Sequence, residues 1–437
     1  MAEFNLDVFD SVRKKSFVKH LGRVTKIIGL TIESLGPIVN LGELCTISAP
    51  DNKLRILAEV VGFKDDKILL MPLDEVSGIG PGCIVEAIGH ELRISVSDML
   101  LGRVVDGLGK PIDGLEPIYS KAMYPIENTA PDPLTRSRIT DVLPMGVKAV
   151  DGLLTVGKGQ RVGIFAGSGV GKSTLLGMIA RNTKADVNVI ALIGERGREV
   201  REFIEKDLGQ EGLKRSVVVV ATSDKPALIR QKAAKTATAI AEYFRDQGKD
   251  VMLMMDSLTR FSMAQREIGL AIGEPPVSRG YTPSVFAVMP KLLERAGNSD
   301  VGSITALYTV LVDGDDMNEP ITDAARGILD GHIVLSRKMA NRNHYPAIDI
   351  LQSISRVMTD VVTDAHKEAA NALKSTLSIY NDAEDLINIG AYASGSNPEI
   401  DGAIKKIGGI KDFLTQFTEE KFEFDDEVGQ LINIFKG

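Results

Sequence analysis

No tryptophan occurs in this chain of 437 residues, and aromatic residues of all kinds make up only 5%. The missing tryptophan excludes nothing by itself. Cysteine is nearly absent too: Cys45 and Cys83 are the only two, and they form no metal-type pair. Both are expected to be free structural thiols, as suits a reducing cytosol. No uninterrupted apolar run approaches the length that crosses a bilayer. The stretch Met1 to Asp10 carries three acids and no apolar centre, so a secretory signal is not expected. Low-complexity linkers and internal repeats are missing as well. Nor is there an excess of positive charge: 51 basic residues face 59 acidic ones, for a net charge of −8. That excludes an overall basic footprint for nucleic acid, and no nucleic-acid partner is expected.

What is present reads as an ordinary soluble globular protein, with 44% hydrophobic and 25% charged residues. The length leaves room for roughly two to four domains. From about Gly22 to Glu91, short β-branched runs alternate with glycine and proline, as at Gly36-Pro37 and Gly78 to Gly82. Closely spaced strand and turn signals predict a small β-barrel or sandwich. From about Ile94 to Met358 apolar runs alternate with helical segments: Val187–Ile193, Val217–Ala221, Val251–Met255, Thr305–Val312 and His332–Leu335. That alternation predicts a mostly parallel sheet flanked by helices. Ile229, Ala233, Ala237, Ile240 and Phe244 line one face of a helix expected over Pro226 to Gln247, with Gly248 just beyond. Beyond Ala365 no strong strand signal remains. Leu373, Leu377 and Tyr380 share a helical face, so a smaller helical domain is expected there.

The run Ala166-Gly167-Ser168-Gly169-Val170-Gly171-Lys172-Ser173 fits the P-loop pattern. A β-rich segment, Arg161 to Phe165, leads into it, and a helical segment from Thr174 to Arg181 leaves it. In that context the backbone N–H groups wrap a polyphosphate at a helix N-terminus. Lys172 is expected on the β- and γ-phosphates, and the Ser173 hydroxyl on Mg²⁺. The predicted nucleotide contacts are therefore Gly167, Ser168, Gly169, Val170, Gly171, Lys172, Ser173 and Thr174. Hydrolysis needs a second metal carboxylate and a group that orients water. The apolar strand Val251–Met255 ends in Asp256, which a parallel sheet delivers to its carboxyl edge; Asp256 is the expected metal carboxylate. A second apolar strand, Ile190–Ile193, ends in Gly194 and Glu195. Spacing alone leaves open whether Glu195 polarises the attacking water.

The run Gly194-Glu195-Arg196-Gly197-Arg198-Glu199 resembles the glycine-glutamate-arginine motif of the rotary ATPase catalytic subunits. Leu101 to Pro111 resembles the segment joining barrel to nucleotide domain in that superfamily, and Pro346 to Ser355 fits its signature. The stretches Asp256 to Gly269 and Pro275 to Phe286 resemble the ATPases of type III protein export, in particular those of the flagellum. The resemblance runs from about Gly22 to the C-terminus. It implies an α/β fold: a RecA-like P-loop ATPase core with an N-terminal β-barrel and a C-terminal helical domain. The expected boundaries are an interaction segment over 1–20, the barrel over 21–92, the ATPase domain over 93–365 and the helical domain over 366–437. It implies Mg²⁺-dependent ATP hydrolysis that energises export, detaching chaperones and promoting substrate entry, by a ring of six identical subunits.

Carried over position by position, the resemblance makes Glu195 the general base and Arg356 an arginine finger for the neighbouring subunit. It stacks the Tyr345 ring on adenine and sets Arg196 and Arg260 around Glu195 and the phosphates. The five histidines are assigned no chemistry. Near the start, Phe4, Leu6, Val8, Phe9, Val12 and Phe17 are interspersed with Arg13, Lys14, Lys15 and Lys19. The pattern fits a short amphipathic helix for a partner or an acidic membrane surface, or a frayed tail. The resemblance implies a stator-like regulatory export protein as partner there, and a coiled-coil stalk protein gripped in the ring's pore by a loop from Gly273 to Pro290. It places the protein in the cytoplasm, peripheral at the inner face of the cell membrane. Alternatives are an injectisome secretion ATPase and the catalytic subunit of an ion-pumping rotary ATPase. Against the latter, Glu195 and Arg356 occur in one chain, so identical subunits could complete each other's sites.

Overall fold

The computed structural model describes residues 19–436 except 50–53, 75, 121, 313 and 315. The expected N-terminal interaction segment, save its last two residues, lies outside the described residues. Two compact units emerge. The first contains a closed six-stranded barrel built from Leu21–Ile28, Thr31–Leu35, Glu43–Ser48, Arg55–Lys64, Lys67–Pro72 and Ile84–Glu91. All its pairings are antiparallel, and the first strand closes on the last. Alternating residues point inward, so Ile56, Ala58 and Val60 of one strand meet Ile32, Ile47, Leu70 and Val85 of others. Register shifts at Val24/Lys26, Glu43/Cys45 and Val60/Gly62 supply the local bends that closure of so small a barrel needs. Gly22 is a true requirement: a Cβ there would lie 1.9 Å from the Gly36 carbonyl oxygen. Cys45 and Cys83 are free and buried in this barrel core. Burial, with the Glu43 charge beside it, pushes the Cys45 thiol up to about 12, so it stays an inert, neutral thiol.

The second unit is a mixed α/β core with a helical C-terminal part. Across its sheet the strands run Ile348–Ser355, Gly331–Leu335, Arg161–Ala166, Ser303–Leu311, Asp250–Asp256, Val187–Ile193, Ser216–Ala221 and Val104–Asp106. Every pairing along that path is parallel except the first, where Ile348–Ser355 runs antiparallel to Gly331–Leu335. All seven residues of Val187–Ile193 are buried, which is why the central strands read as unbroken apolar runs rather than alternating ones. The two edge strands were not legible that way. Val104–Asp106 is only three residues long, and Ile348–Ser355 leaves half its outer face in contact with solvent. The expected long helix spans Ala227–Arg245, capped by Pro226 and stopped before Gly248 at φ +79°. Its alanine-rich face lets it lie close on the sheet. Its Glu242 meets Arg295 in a buried two-pronged ion pair, both bonds 2.8 Å.

The segment expected as a loop from Gly273 to Pro290 ends sooner. Pro283 sits in the first turn of a helix, Pro283–Leu293, because proline at that position loses no hydrogen bond and pre-sets φ. Beyond the sheet come three helices, Asp364–Asn388, Pro398–Leu414 and Phe424–Phe435. The Thr363 and Asn397 side chains cap the first two. All three pack against a short helix of the core, Lys148–Leu153. Gly152 permits that approach, since a Cβ there would stand 2.8 Å from the Phe413 ring. Among the described residues no helix is long and apolar enough to cross a membrane.

Candidate active site

The strand Arg161–Ala166 is buried between two parallel neighbours, and the chain leaves it through Gly167 to Gly171 into the helix Lys172–Asn182. Gly169 and Gly171 stand at φ +76° and +86°, a region that disfavours a side chain, so the loop needs glycine at both. Gly171 caps the helix without a side-chain bond, which leaves the first-turn N–H groups directed at the cleft. Val170 turns its side chain into the core and gives the loop only its backbone. Ser173 is exposed on the first turn. Thr174 engages Asp207 through its hydroxyl, so its contribution to the loop is its N–H.

The cleft above the loop has a volume of about 860 Å³. It gathers residues that are far apart in the chain because parallel strands all release their carboxyl ends at one edge. Asp256 ends a strand that is one strand removed from the P-loop strand, and Glu195 follows the next strand out. The Lys172 ammonium pairs with the Asp256 carboxylate and lies 3.7 Å from Glu195. Thr309, on the strand between, donates its hydroxyl to Asp256 at 2.8 Å. Gly194, at φ +70°, turns the chain over Arg260, where a Cβ would lie 3.0 Å from that side chain.

Electrostatics set Glu195 apart. Burial pushes its carboxyl up to about 7, helped by a hydrogen bond with Glu199 and by the Asp256 charge, against the pull of Lys172 and Arg260. Glu199, one turn into the following helix, is held below its usual range by the same bond. Glu199 was not singled out from sequence, although the charge alternation around it was visible. Arg196 departs from expectation in detail: its side chain is 82% exposed and reaches Glu199 at 3.5 Å rather than Glu195. Arg260 lines the cleft and faces Glu195.

At the cleft's far end Tyr345 is 42% exposed and stands against the P-loop, so that a Cβ on Gly171 would come within 3.4 Å of its ring. A second aromatic, Phe417, is 76% exposed and lines the same cleft together with Gln416 and Thr418. Gln416 donates its N–H to the Tyr345 carbonyl at 3.0 Å, which ties the two segments together. Sequence reasoning missed Phe417. It lies in a turn after Leu414 with no local pattern, and only the packing of the C-terminal helices carries it to the cleft.

No cluster of three or more His, Cys, Asp or Glu side chains poised to hold an ion exists among the described residues. One exposed hydroxyl, Ser173, and one carboxylate, Asp256, are hard oxygen donors in the small number suited to Mg²⁺. That ion keeps most of its shell as water and phosphate oxygen. Arg356 lies elsewhere. It follows the edge strand at the end where Ser355 pairs with Gly331, whereas the P-loop edge is the end where Leu335 pairs with Ala166. It is exposed, and among the described residues its side chain makes no ion pair.

The model of the ATP synthase alpha/beta family nucleotide-binding domain matches residues 146–355, and that of the family's beta-barrel domain matches 24–89. Residues 362–433 match the T3SS EscN ATPase C-terminal domain. The chain is 57% identical over 430 residues to the flagellum-specific ATP synthase of Bacillus subtilis, covering 98% of each. It is 52% identical over 416 residues to the type 3 secretion system ATPase of Xanthomonas euvesicatoria, covering 95% of this chain and 94% of the other. Its fold superposes on the assembled ATPase EscN of the enteropathogenic E. coli type III secretion system with a TM-score of 0.90. The two are 49% identical, over 94% of this chain and 99% of that one. The same ATPase in complex with its central stalk EscO gives 0.88.

Proposed function

The chain belongs to the ATP synthase alpha/beta family as one of its type III export ATPases, and on that premise we propose that it energises flagellar protein export. The observation that carries the chemistry is the placement of Lys172 between Asp256 and Glu195 at the mouth of the P-loop. Backbone N–H groups from Gly169 to Ser173 cradle the β- and γ-phosphates, and Lys172 exchanges part of its pairing with the two acids for phosphate oxygens. Glu195, largely buried and raised to about 7, accepts a proton from the attacking water as the water oxygen bonds to the γ-phosphorus and the bond from that phosphorus to the β-bridging oxygen breaks, releasing ADP and phosphate. Ser173 and Asp256 would hold Mg²⁺, which would neutralise charge on the phosphate oxygens. Tyr345 and Phe417 offer two ring faces for adenine.

The proposed domains are a barrel over 21–92, an ATPase core over 93–365 and helices over 366–437, preceded by an interaction segment for a regulatory partner. Six copies form a ring around a coiled-coil stalk. The similarity to an assembled ATPase and to its complex with a central stalk supports that reading. Detachment of chaperones and entry of export substrates at the inner face of the cell membrane complete the proposed cycle. Relatives named for the flagellum at 57% and 55% identity support the flagellar system, while others so named, at 47–51%, fall below the 52% secretion-system relative.

Two measurements test this. Lys172→Ala in the native host is expected to abolish secretion of flagellar subunits, because it removes a contact to both phosphates. Normal flagellar secretion, with loss of other type III cargo, would assign the chain to an injectisome instead. Asp256→Asn is expected to raise the Mg²⁺ concentration at half-maximal activity on the order of tenfold, since a formal charge leaves the ion's surroundings. A Mg²⁺ titration unaltered by the substitution removes Asp256 from the site.

A further inference from the structure

Two carboxyl groups outside the cleft are buried against each other. Asp151 lies in the short core helix Lys148–Leu153, and Glu427 in the last helix, Phe424–Phe435; both are 0% exposed. The Asp151 oxygens accept the Met145 N–H at 2.9 and 3.1 Å and the Gly146 N–H at 2.7 Å. Neither Glu427 oxygen meets an N–H or hydroxyl donor. The group in hydrogen-bond contact with it is the Asp151 carboxyl. Two carboxylates repel unless one keeps a proton; burial pushes Asp151 up only to about 6, because the backbone donors stabilise its charge. Glu427 therefore holds the proton and donates it to Asp151.

Among the described residues the counter-charge that acts on Glu427 is Lys148, which pulls it down without a hydrogen bond to it. Lys148, on the core helix, sits 4.9 Å over the Phe422 ring and donates to the Asp412 carbonyl at 3.3 Å. His366, on the first C-terminal helix, is buried, accepts nothing from the pair and contacts the Gly152 carbonyl at 2.8 Å. Burial keeps that imidazole below its usual range, hence neutral. Glu423, at the start of the last helix, adds a like charge beside Glu427, and Glu420 in the preceding turn faces Lys148.

The same core helix touches Gln416, which lines the cleft. Its first N–H, on Lys148, donates to the Gln416 side chain at 2.9 Å, and that side chain donates in turn to the Gly146 carbonyl at 3.0 Å. Gln416 precedes Phe417. We infer that the Asp151–Glu427 pair, sharing one proton, is the latch that seats the C-terminal helices on the nucleotide core and so positions the Gln416–Thr418 segment over the base. The two carboxyls are positioning residues. They touch no substrate and act through Gln416.

Burial and the Asp151 charge push Glu427 up to about 9, while in the unfolded chain it ionises near its ordinary value. Between the two the folded state binds more protons, so the latch's contribution is complete at low pH. It fades as pH rises toward and through the folded value. Glu427→Gln retains a donor for Asp151 and removes the titration. On the full chain without nucleotide, the variant's melting midpoint is expected to exceed the wild type's by about 3 °C or more at pH 9 and to converge with it at pH 5. An infrared difference spectrum at pH 7.5 is expected to lose a neutral-carboxyl band in the variant. Raising the pH from 7.5 to 9.5 is expected to raise the wild type's KM for ATP about threefold more than the variant's, with kcat changing alike in both. Parallel midpoint curves, or an unchanged infrared spectrum, would overturn the shared proton. The reach to the base rests on the nucleotide reading of the cleft. Diverging midpoints with identical KM profiles would leave the latch standing and overturn its hold on Gln416–Thr418.

Discussion

Glu195→Gln is expected to bind ATP with Mg²⁺ about as tightly as the wild type and to lose almost all turnover. The amide is isosteric and keeps the local packing, but it cannot accept a proton from water. A positioned general base contributes roughly 10²–10⁴ in rate, and the loss falls on kcat because the group acts only as the proton moves. The geometry makes the substitution a clean one. Glu195 lies 3.7 Å from Lys172, within reach of the phosphate-binding ammonium without holding it; Asp256 does that. Single-turnover hydrolysis and nucleotide titration on the same preparation separate the two effects. Hydrolysis by Glu195→Gln near the wild-type rate would show that another group activates the water.

Lys172→Ala and Arg356→Ala are each expected to be inactive alone and to regain activity when mixed. Arg356 sits at the end of the sheet away from the P-loop of its own chain. The edge strand that precedes it bulges, so its ends Ile348 and Ser355 pair with Leu335 and Gly331, four residues apart on the neighbouring strand, or roughly 14 Å at about 3.4 Å per residue. Tyr345 stands just before the end nearer the P-loop, and Arg356 follows the other. On the proposed reading, one strand carries an aromatic for its own cleft and an arginine for a neighbour's. In a mixed ring some interfaces join an intact P-loop to an intact arginine, so part of the activity returns. An arginine finger is worth on the order of 10³–10⁵ in rate, which makes the recovery measurable above background. Specific activity of the wild type should also rise with protein concentration as rings form. A mixture that stays inactive although mixed rings are present, or full activity in a proven monomer, would refute the arrangement.

Much was readable in one dimension because its physics is local. A buried parallel strand needs an unbroken apolar run, and a polyphosphate cradle needs glycines at φ > 0 between strand and helix. Val187–Ile193, Asp250–Asp256 and Gly167–Lys172 meet those demands within a few residues. Asp256 and Glu195 could be placed at one edge of the sheet because strands that alternate with helices run parallel. The resemblance to a known family then supplied roles that spacing left open.

Tertiary structure decided what depends on strand order and on distant packing. Glu195 comes beside Lys172 only because the sheet interleaves Ser303–Leu311 and Asp250–Asp256 between their strands. Its near-neutral carboxyl is a product of burial and of Glu199, Asp256, Lys172 and Arg260 converging from four elements. Phe417 reaches the cleft because three C-terminal helices seat on Lys148–Leu153, a contact across more than two hundred residues of chain. Sequence reasoning did not single out Glu427, and only its burial against Asp151 makes it a neutral donor. Desolvation and pairing are properties of a folded interior, and no local pattern of residues encodes them.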